Sequence, residues 1–373
     1  MLVRSRAPLR LSMAGGGTDV APYSDLYGGS VLNATIDMYA YCVVEPIHEP
    51  QLVFHAADRN ETYSSSLTDS LSFDGTLDLH KGVYNRIIKD YNQAVPIALK
   101  ITTYSDAPAG SGLGSSSTLV VAMIKAFVEL LNLPLGEYDI ARLAYEVERC
   151  DIGLKGGKQD QYAATFGGFN FIEFYANDRV IVNPLRIKQW IISELESSIV
   201  LYYSGVSRES ARIIDEQARR IAGADTVALE ATHEIRRFAF LQKESLLKGD
   251  MQSFSRGLNA SWKAKQHLAQ GIINPDLQKV YDAALEAGAC AGKISGAGGG
   301  GFLMFMMDPI RRANVISALK PFSGEIVRCH FTKGGTEGWK IFANSVSQEQ
   351  HELGESPSYD PFRRNVDIAK EHP

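Results

Sequence analysis

A ten-residue segment rich in glycine and serine, PAGSGLGSSS, constrains the fold more than any other part of the chain. It spans residues 108–117 and is followed at once by the apolar run TLVVAMIKAFVELL. Glycines permit backbone conformations that other residues rarely adopt, and a helix start offers free N–H groups and the positive end of the helix dipole. The segment therefore predicts a phosphate-binding loop at the start of a buried helix. A flexible turn with a serine cap is the alternative.

This loop matches neither of two common nucleotide-binding motifs. It lacks the Gly-Lys-Ser/Thr ending of the Walker A sequence. Its glycine spacing differs from the dinucleotide fingerprint, and no acidic residue ends a second strand about twenty residues later. A dinucleotide-binding oxidoreductase is therefore disfavoured.

A second glycine cluster follows the first predicted strand. Residues 2–13 alternate as strands do and lead into GGGTD at 15–19. Bare backbone lets a ligand approach, and Thr18 and Asp19 offer a hydroxyl and a carboxylate to sugar hydroxyls, at about 1.5–3 kcal/mol for a charged hydrogen bond. Capping of the next turn is the alternative use of both residues. Arg10, which stands between two leucines, is predicted to point into a cleft.

Glu148 is predicted to point inward from a helix at residues 137–150. Apolar residues recur at i, i+3, i+4 and i+7 from Ile140, and Glu148 lies at the edge of that stripe, whereas Glu146 and Arg149 point away from it. An inward carboxylate needs a partner, and a Mg²⁺ ion that bridges nucleotide phosphates is one. A salt bridge at the helix edge is the alternative.

Two further segments carry candidate chemistry. Lys158 and Asp160 lie in GGKQDQY, where a cation beside a carboxylate favours the ionised form that orients or deprotonates a hydroxyl; an N-cap aspartate is the alternative. The segment KISGAGGGGF at 293–302 predicts a strand, a turn at 296–301 and a second strand. Its glycines serve either tight packing or contact with a ligand at a domain interface.

Length and charge indicate the broad class of the protein. The 373 residues favour two domains, at 1–190 and 191–347, with a polar tail at 348–373. The net charge of −5 gives no basic surplus for nucleic acid or an acidic membrane, which leaves small-molecule chemistry. The four cysteines are widely spaced and predict reduced thiols. No signal peptide or membrane span is recognisable, so we expect a cytoplasmic protein.

The three glycine-rich motifs together resemble those of the GHMP kinases. They read APLRLxxxGGGTD at 7–19, PxxxGLGSSS at 108–117 and KISGAGGGGF at 293–302, and they extend over nearly the whole chain. Within the family, AGGGTD and GGKQDQY are most similar to the D-glycero-D-manno-heptose 7-phosphate kinases. The resemblance implies an α+β, two-domain GHMP kinase fold. Its N-terminal domain would resemble domain 2 of ribosomal protein S5, with a left-handed crossover, and its C-terminal domain would be ferredoxin-like.

The resemblance also implies roles for individual residues. Asp160 matches the catalytic aspartate, and Arg10 matches the cation that lowers the pKa of the acceptor hydroxyl. Ser116 and Glu148 match the Mg²⁺ ligands, with Ser115 and Ser117 as competitors for Ser116. The sugar would contact Gly17, Thr18 and Asp19. The residues predicted to bind ATP are Pro108, Gly110, Ser111, Gly112, Leu113, Gly114, Ser115, Ser116 and Ser117.

The implied reaction is ATP-dependent phosphorylation of the anomeric hydroxyl of D-glycero-D-manno-heptose 7-phosphate to the 1,7-bisphosphate, on the way to nucleotide-activated heptose for surface polysaccharide. Galactokinases carry GEHTDY where this chain has glycines, which argues against galactose. Other substrate contacts are predicted at Lys158, Arg208, Lys263, Lys265, Gly298 and Gly299. For the basic residues among these, a solvated surface position is the alternative.

Two alternative functions remain compatible with the sequence, and so does assembly into an oligomer. The chain fits a GHMP kinase for another sugar, of the fucose or galactose type, and it fits a non-catalytic sensor of sugar and ATP. Intact Arg10, Glu148 and Asp160 speak against the sensor. The expected partners are a sugar phosphate and ATP, without nucleic acid or membrane, and a homo-oligomer of two or more subunits is allowed.

Overall fold

A computed structural model describes residues 1–205 and 210–342 of the chain. The described residues form two β-sheets and eleven α-helices. The strands are β1 Leu2–Ala14, β2 Gly29–Pro46, β3 Gln51–Ala56, β4 Glu61–Ser66, β5 Leu99–Ser105, β6 Phe169–Phe174, β7 Val180–Pro184, β8 Ile199–Tyr203, β9 Ala289–Ile294, β10 Phe302–Met307, β11 Glu325–Val327 and β12 Glu337–Ile341. The helices are α1 Tyr23–Tyr27, α2 Asp78–Tyr91, α3 Ser115–Leu131, α4 Glu137–Glu146, α5 Gln159–Phe166, α6 Gln189–Ser198, α7 Ser210–Ala222, α8 Thr226–Lys248, α9 Met251–Lys265, α10 Pro275–Glu286 and α11 Arg312–Leu319.

The larger sheet has the order β12-β1-β2-β5-β3-β4 and branches at β2. The first half of this 18-residue strand pairs with β6, and its second half pairs with β5. β6 also pairs with β7. β3 and β5 run parallel, and the chain passes through β4 and α2 between them. This long central strand joins the element that carries Arg10, β1, to the strand that precedes the phosphate loop, β5.

The smaller sheet is antiparallel, in the order β11-β8-β10-β9, and α10 and α11 pack against its strands. Mixed sheets and helices in two sheet-based units confirm the α+β fold class. The predicted strand-turn-strand at 293–302 is present as β9 and β10. β12 differs from the predicted division, because it follows the smaller sheet in sequence but pairs with β1 of the larger one. The predicted tail at 348–373 lies outside the described residues.

Helix α3 is buried on nearly all sides, as its composition predicts. Residues 120–124, Ala126 and Phe127 lie in the core between the large sheet and the neighbouring helices α2 and α4. A second core joins other residues of β1 and β2 to α8, α9 and the strands of the smaller sheet. Burial of this apolar surface fixes the start of α3 relative to both sheets, and the functional side chains converge at that point.

Two class expectations can be compared with the structure. All four cysteines are free, in agreement with reduced thiols. Across residues 1–205 and 210–342, no helix has the length and apolar character that crossing a bilayer requires.

Candidate active site

The predicted phosphate loop leaves its backbone N–H groups free. Gly110, Gly112 and Gly114 have φ values of +77°, +85° and +80°, which glycine adopts at little cost. Helix α3 begins directly after them, and no side chain caps it. Within the described residues, the amides of Gly112 through Ser117 donate to no acceptor of the chain. The Ser115 hydroxyl donates to the carbonyl of Pro108 at 3.0 Å. The serine-cap alternative is therefore wrong, and the loop presents a row of donors at the positive end of a helix.

These amides face a cavity of about 280 Å³ between the two sheet-based units. Six residues of the loop line it: Gly110, Gly112, Gly114, Ser115, Ser116 and Ser117. The other predicted loop residues have different roles. Leu113 is buried in the core and Ser111 is fully buried. Pro108 accepts hydrogen bonds from the Ser111 amide and the Ser115 hydroxyl, and so it shapes the loop without lining the cavity.

Arg10 and Asp160 form an ion pair at the start of α3. Arg10 lies on β1 with 3% of its side chain exposed, which confirms its predicted inward direction. Its Nε and Nη2 lie 2.7 and 2.5 Å from Oδ1 of Asp160, and its Nη1 donates to the carbonyl of Gly112 at 2.6 Å. Asp160 stands in the first turn of α5, and a Cβ atom at Gly114 would lie 3.0 Å from its Cγ. The guanidinium thus holds one carboxylate oxygen, while the other faces the phosphate loop.

Asp19 lines the same cavity and is held by three donors. Its Oδ1 accepts from the Gly17 amide at 3.1 Å and from Nε2 of Gln159 at 3.2 Å, and its Oδ2 accepts from the Gln159 amide at 3.1 Å. Burial raises the pKa of this carboxyl, and nearby Asp160 raises it further. A Cβ atom at Gly157 would lie 1.9 Å from Oδ2, so only glycine fits there. A buried carboxylate with lone pairs remaining suits a sugar hydroxyl.

Glu148 also lines the cavity, with 1% of its side chain exposed, as the helix-face argument predicts. It accepts a hydrogen bond from Nε2 of Gln161, which also donates to the Ser117 hydroxyl at 3.1 Å. Burial raises the pKa of the carboxyl, whereas Arg149, whose Nη1 lies 3.7 Å from it, lowers that pKa. Glu148 lies beside the hydroxyl of Ser117, and Ser116 lines the same cavity, so carboxylate and hydroxyl oxygens of the kind that Mg²⁺ takes together with phosphate oxygens and water are present. These residues therefore fit the ion.

Arg149 departs from its predicted direction. Residues Val147–Asp151 form a π-helical turn instead of continuing the α-helix. A π-turn advances each side chain by less than the 100° assumed for an α-helix, so the positions after Val147 rotate relative to the buried stripe. Arg149 consequently lines the cavity beside Glu148, while Glu146 points away and pairs with Arg142.

Four predicted substrate residues lie elsewhere. Thr18 is fully buried and bonds to the carbonyls of Gly15 and Ser30, so it fixes the first loop. Lys158 pairs with Asp178 at 2.6 Å and does not line the cavity. Gly298 and Gly299 pack against Ile272, because the Gly299 amide donates to its carbonyl and a Cβ at Gly298 would meet that carbonyl at 2.8 Å. These side chains and glycines shape the site without lining it.

Of the remaining predicted cations, Lys265 lines the cavity and Lys263 is exposed. Arg208 lies outside the described residues. Sequence reasoning missed Gln159 and Gln161, which hold Asp19 and Glu148. Their alternation with Asp160 in KQDQY was the available signal, since polar residues at successive positions of a buried helix start must each find a partner.

Comparisons with known proteins agree with this geometry. The family models "GHMP kinases N terminal domain" and "GHMP kinases C terminal" match residues 78–168 and 242–324. A relative from Campylobacter jejuni subsp. jejuni serotype O:2, named D-glycero-alpha-D-manno-heptose 7-phosphate kinase, is 49% identical over 339 residues, which cover 91% of this chain and 99% of the relative. L-fucokinase/L-fucose-1-P guanylyltransferase of Bacteroides fragilis is 25% identical over 332 residues, which cover 83% of this chain and 35% of that protein.

A solved structure supports the same relationship. The crystal structure of a D-glycero-D-manno-heptose 1-phosphate kinase from Bacteroides thetaiotaomicron superposes with a TM-score of 0.78 at 49% sequence identity. The match covers 91% of this chain and 100% of the other. The two 49%-identical relatives carry names that agree on the heptose and differ in the position of its phosphate.

Proposed function

The chain belongs to the GHMP kinase family and is a sugar phosphotransferase, and from that premise we propose that it transfers the γ phosphate of ATP to the anomeric hydroxyl of D-glycero-D-manno-heptose 7-phosphate. The product is the 1,7-bisphosphate. One observation carries the proposal: the free amides at the start of α3 and the Arg10-bound carboxylate of Asp160 face the same cavity. Kinase family membership also disfavours the non-catalytic sensor.

The nucleotide phosphates bind at the start of α3. The amides of Gly112 through Ser117 supply fixed donors without side-chain charge, and the helix dipole adds to their attraction for phosphate oxygens. Glu148 and the hydroxyl of Ser116 would hold Mg²⁺, which when bound neutralises charge on the β and γ phosphates. Fixed dipoles in a partly enclosed cavity need little reorganisation when the phosphoryl group transfers, and this lowers the barrier.

Asp160 activates the acceptor hydroxyl. Arg10 holds Oδ1, so Oδ2 is left to accept the proton as the sugar oxygen attacks the γ phosphorus. The same guanidinium stabilises negative charge that develops on the attacking oxygen. Asp19 lies near Asp160 and accepts a hydrogen bond from a neighbouring sugar hydroxyl, which orients the acceptor. The two aspartates therefore divide the work between proton transfer and sugar binding.

An ADP-release assay over a panel of acceptors tests the proposal. The panel contains heptose 7-phosphate, its dephosphorylated form, L-fucose, D-galactose and mevalonate. We expect kcat/KM for heptose 7-phosphate to exceed the others by roughly 100-fold or more, since a site with buried polar groups rejects acceptors that leave them unpaired. Phosphorus NMR of the product must show a new phosphate on the anomeric carbon. A preference for fucose or galactose, or transfer to another hydroxyl, contradicts the proposal.

A further inference from the structure

Four cationic side chains line the cavity: Arg10, Arg149, Lys155 and Lys265. The contacts or exposure of the first three account for their positions, whereas Lys265 has no role yet. Arg10 is paired with Asp160, and Arg149 lies beside Glu148. Lys155 stands exposed on the loop that precedes α5. Lys265, the last residue of α9, is 6% exposed and is not used by the mechanism above.

The amine of Lys265 is held at one point only. Its Nζ donates to the carbonyl of Gly296 in the third glycine motif. Within residues 1–205 and 210–342 it forms no ion pair, although an ammonium group has three donors. Burial lowers the pKa of this amine to about 8, while Asp19 acts in the opposite direction. A buried amine that lines a cavity with donors to spare is suited to an anion from solution.

Lys265 lies near two groups that are assigned to the acceptor. The charges that act on its amine are those of Asp19 and Arg10. The groups that act on Glu148, at the nucleotide end, are Arg149, Ser117 and Gln161. The charge of Asp160 raises the pKa of both Asp19 and Glu148, so Asp160 lies between the two ends of the cavity. An anion bound by Lys265 would therefore lie beside Asp19 and Arg10, the groups assigned to the acceptor.

A second buried amine, that of Lys293, lies near Lys265. Lys293 on β9 is 5% exposed, and its Nζ donates to the carbonyl of Ser12 at 2.7 Å. Burial lowers its pKa well below the ordinary value, and Lys265 and Arg10 lower it further. Lys293 is held by the Ser12 carbonyl and does not line the cavity, and Arg10 is paired with Asp160. Lys265 is therefore the group among these three that is left to meet an anion in the cavity.

We propose that Lys265 binds the phosphate group of the acceptor sugar and so makes the enzyme select a sugar phosphate over the free sugar. The inference rests on the proposed function and adds the residue that reads the distal phosphate. Lys265 reaches this phosphate from the C-terminal part of the chain, while Asp19 and Asp160 hold the sugar from the N-terminal part.

The test compares Lys265→Met with wild type on two pairs of acceptors. The pairs are heptose 7-phosphate with free heptose, and mannose 6-phosphate with mannose. Loss of a charged hydrogen bond predicts that KM for the phosphorylated member rises by roughly 10- to 100-fold. KM for the free sugar and KM for ATP should change by less than about twofold, because neither ligand contacts the amine. Lys265→Arg keeps the charge and should retain much of the preference.

Lys263→Met is the matched control, since Lys263 lies two residues before Lys265 on the same helix and its side chain is exposed. It should leave every KM unchanged. A wild type that prefers the free sugars overturns both the inference and the proposed function. A preference for the phosphorylated sugars that survives in Lys265→Met overturns the inference alone. An equal loss on both members of a pair, or a lowered melting temperature with Lys265→Arg failing to rescue, assigns Lys265 a structural role and also overturns the inference.

Discussion

Two glycine-rich loops meet beside the cavity, and they use glycine for opposite purposes. In the loop at 110–114, positive φ angles turn the chain so that the amides that follow face the cavity without partners. In the loop at 296–301, the amides of Gly299 and Gly301 already donate to the carbonyls of Ile272 and Gly205. The first loop offers free donors to the cavity, and the second loop packs.

The packing in the second loop is against the first. A Cβ atom at Gly301 would lie 2.2 Å from the carbonyl oxygen of Ser111, and one at Gly296 would lie 2.7 Å from Cα of Gly112. Ser295 donates from its hydroxyl to the carbonyl of Gly112 at 2.7 Å. Glycine content alone therefore does not identify a ligand site. The deciding observation is whether the backbone donors are still free.

The largest expected effect comes from the carboxylate opposite the binding loop. Asp160→Asn keeps the shape of the side chain and removes the proton acceptor, so kcat should fall by roughly 10²- to 10⁴-fold. Nucleotide affinity, measured by fluorescence titration or calorimetry, should stay within about threefold, because the amides are untouched. Asp276→Asn, at an exposed position on α10, is the control and should keep full activity. Retained turnover in Asp160→Asn would remove the base from the mechanism.

The second effect distinguishes the packing loop. Gly301→Ala combines an unfavourable φ of +82° with a clash against backbone, and we expect the free energy of unfolding to fall by roughly 2–4 kcal/mol. Urea denaturation measures this. Gly75→Ala has a similar φ of +91° with open space around its Cβ and should lose only about 1 kcal/mol. Equal losses in the two variants would show that backbone strain, and not contact with the first loop, determines the role of Gly301.

The third effect distinguishes the binding loop. Gly114→Ala places a methyl group 3.0 Å from Cγ of Asp160, so the carboxylate must shift and kcat should fall by roughly 10- to 100-fold. Gly153→Ala has nearly the same φ, +82° against +80°, and meets nothing within 4 Å. It should lose no more stability than Gly114→Ala while retaining activity. If the two variants keep the same kcat, the close contact with Asp160 has no catalytic meaning.

Much of the fold follows from sequence pattern alone. The apolar run after 108–117 predicts the buried helix α3, because a helix that is buried on nearly all sides is apolar on nearly all sides. The alternation at 2–13 predicts β1, because successive side chains of a strand point to opposite faces. The pairing of β12 with β1 was not predictable in this way, since a five-residue strand with no clear alternation shows its partner only in three dimensions.

The candidate site likewise contains residues whose positions were predictable from the sequence and residues whose positions were not. Arg10 and Glu148 were predicted inward from their apolar neighbours, and both are buried. Arg149 was placed wrongly because the π-helical turn has no sequence signature that period counting detects. Thr18 was assigned to the sugar, but a buried hydroxyl with two local carbonyls satisfies itself. Whether a polar side chain binds a ligand or a backbone group of the protein depends on residues that are distant in sequence and become neighbours only in the folded chain.

The smallest expected effect is a difference in pH dependence. It compares anion binding by the backbone amides of the first loop with anion binding by Lys265, whose amine donates to Gly296 of the second loop. Backbone N–H groups do not titrate between pH 6 and 10, so KM for ATP should change little in that range. Lys265 has a pKa of about 8, because burial and Arg10 disfavour its charge more than Asp19 supports it. Above that pH the free enzyme carries a neutral amine and must take up a proton to bind the acceptor phosphate. The other titratable groups nearby are Lys293 and Asp160, and kcat/KM for the sugar phosphate should fall by up to about tenfold per pH unit. Lys265→Arg, which stays charged, should lose this alkaline decline, and a decline that persists in the arginine variant would have to come from a different group.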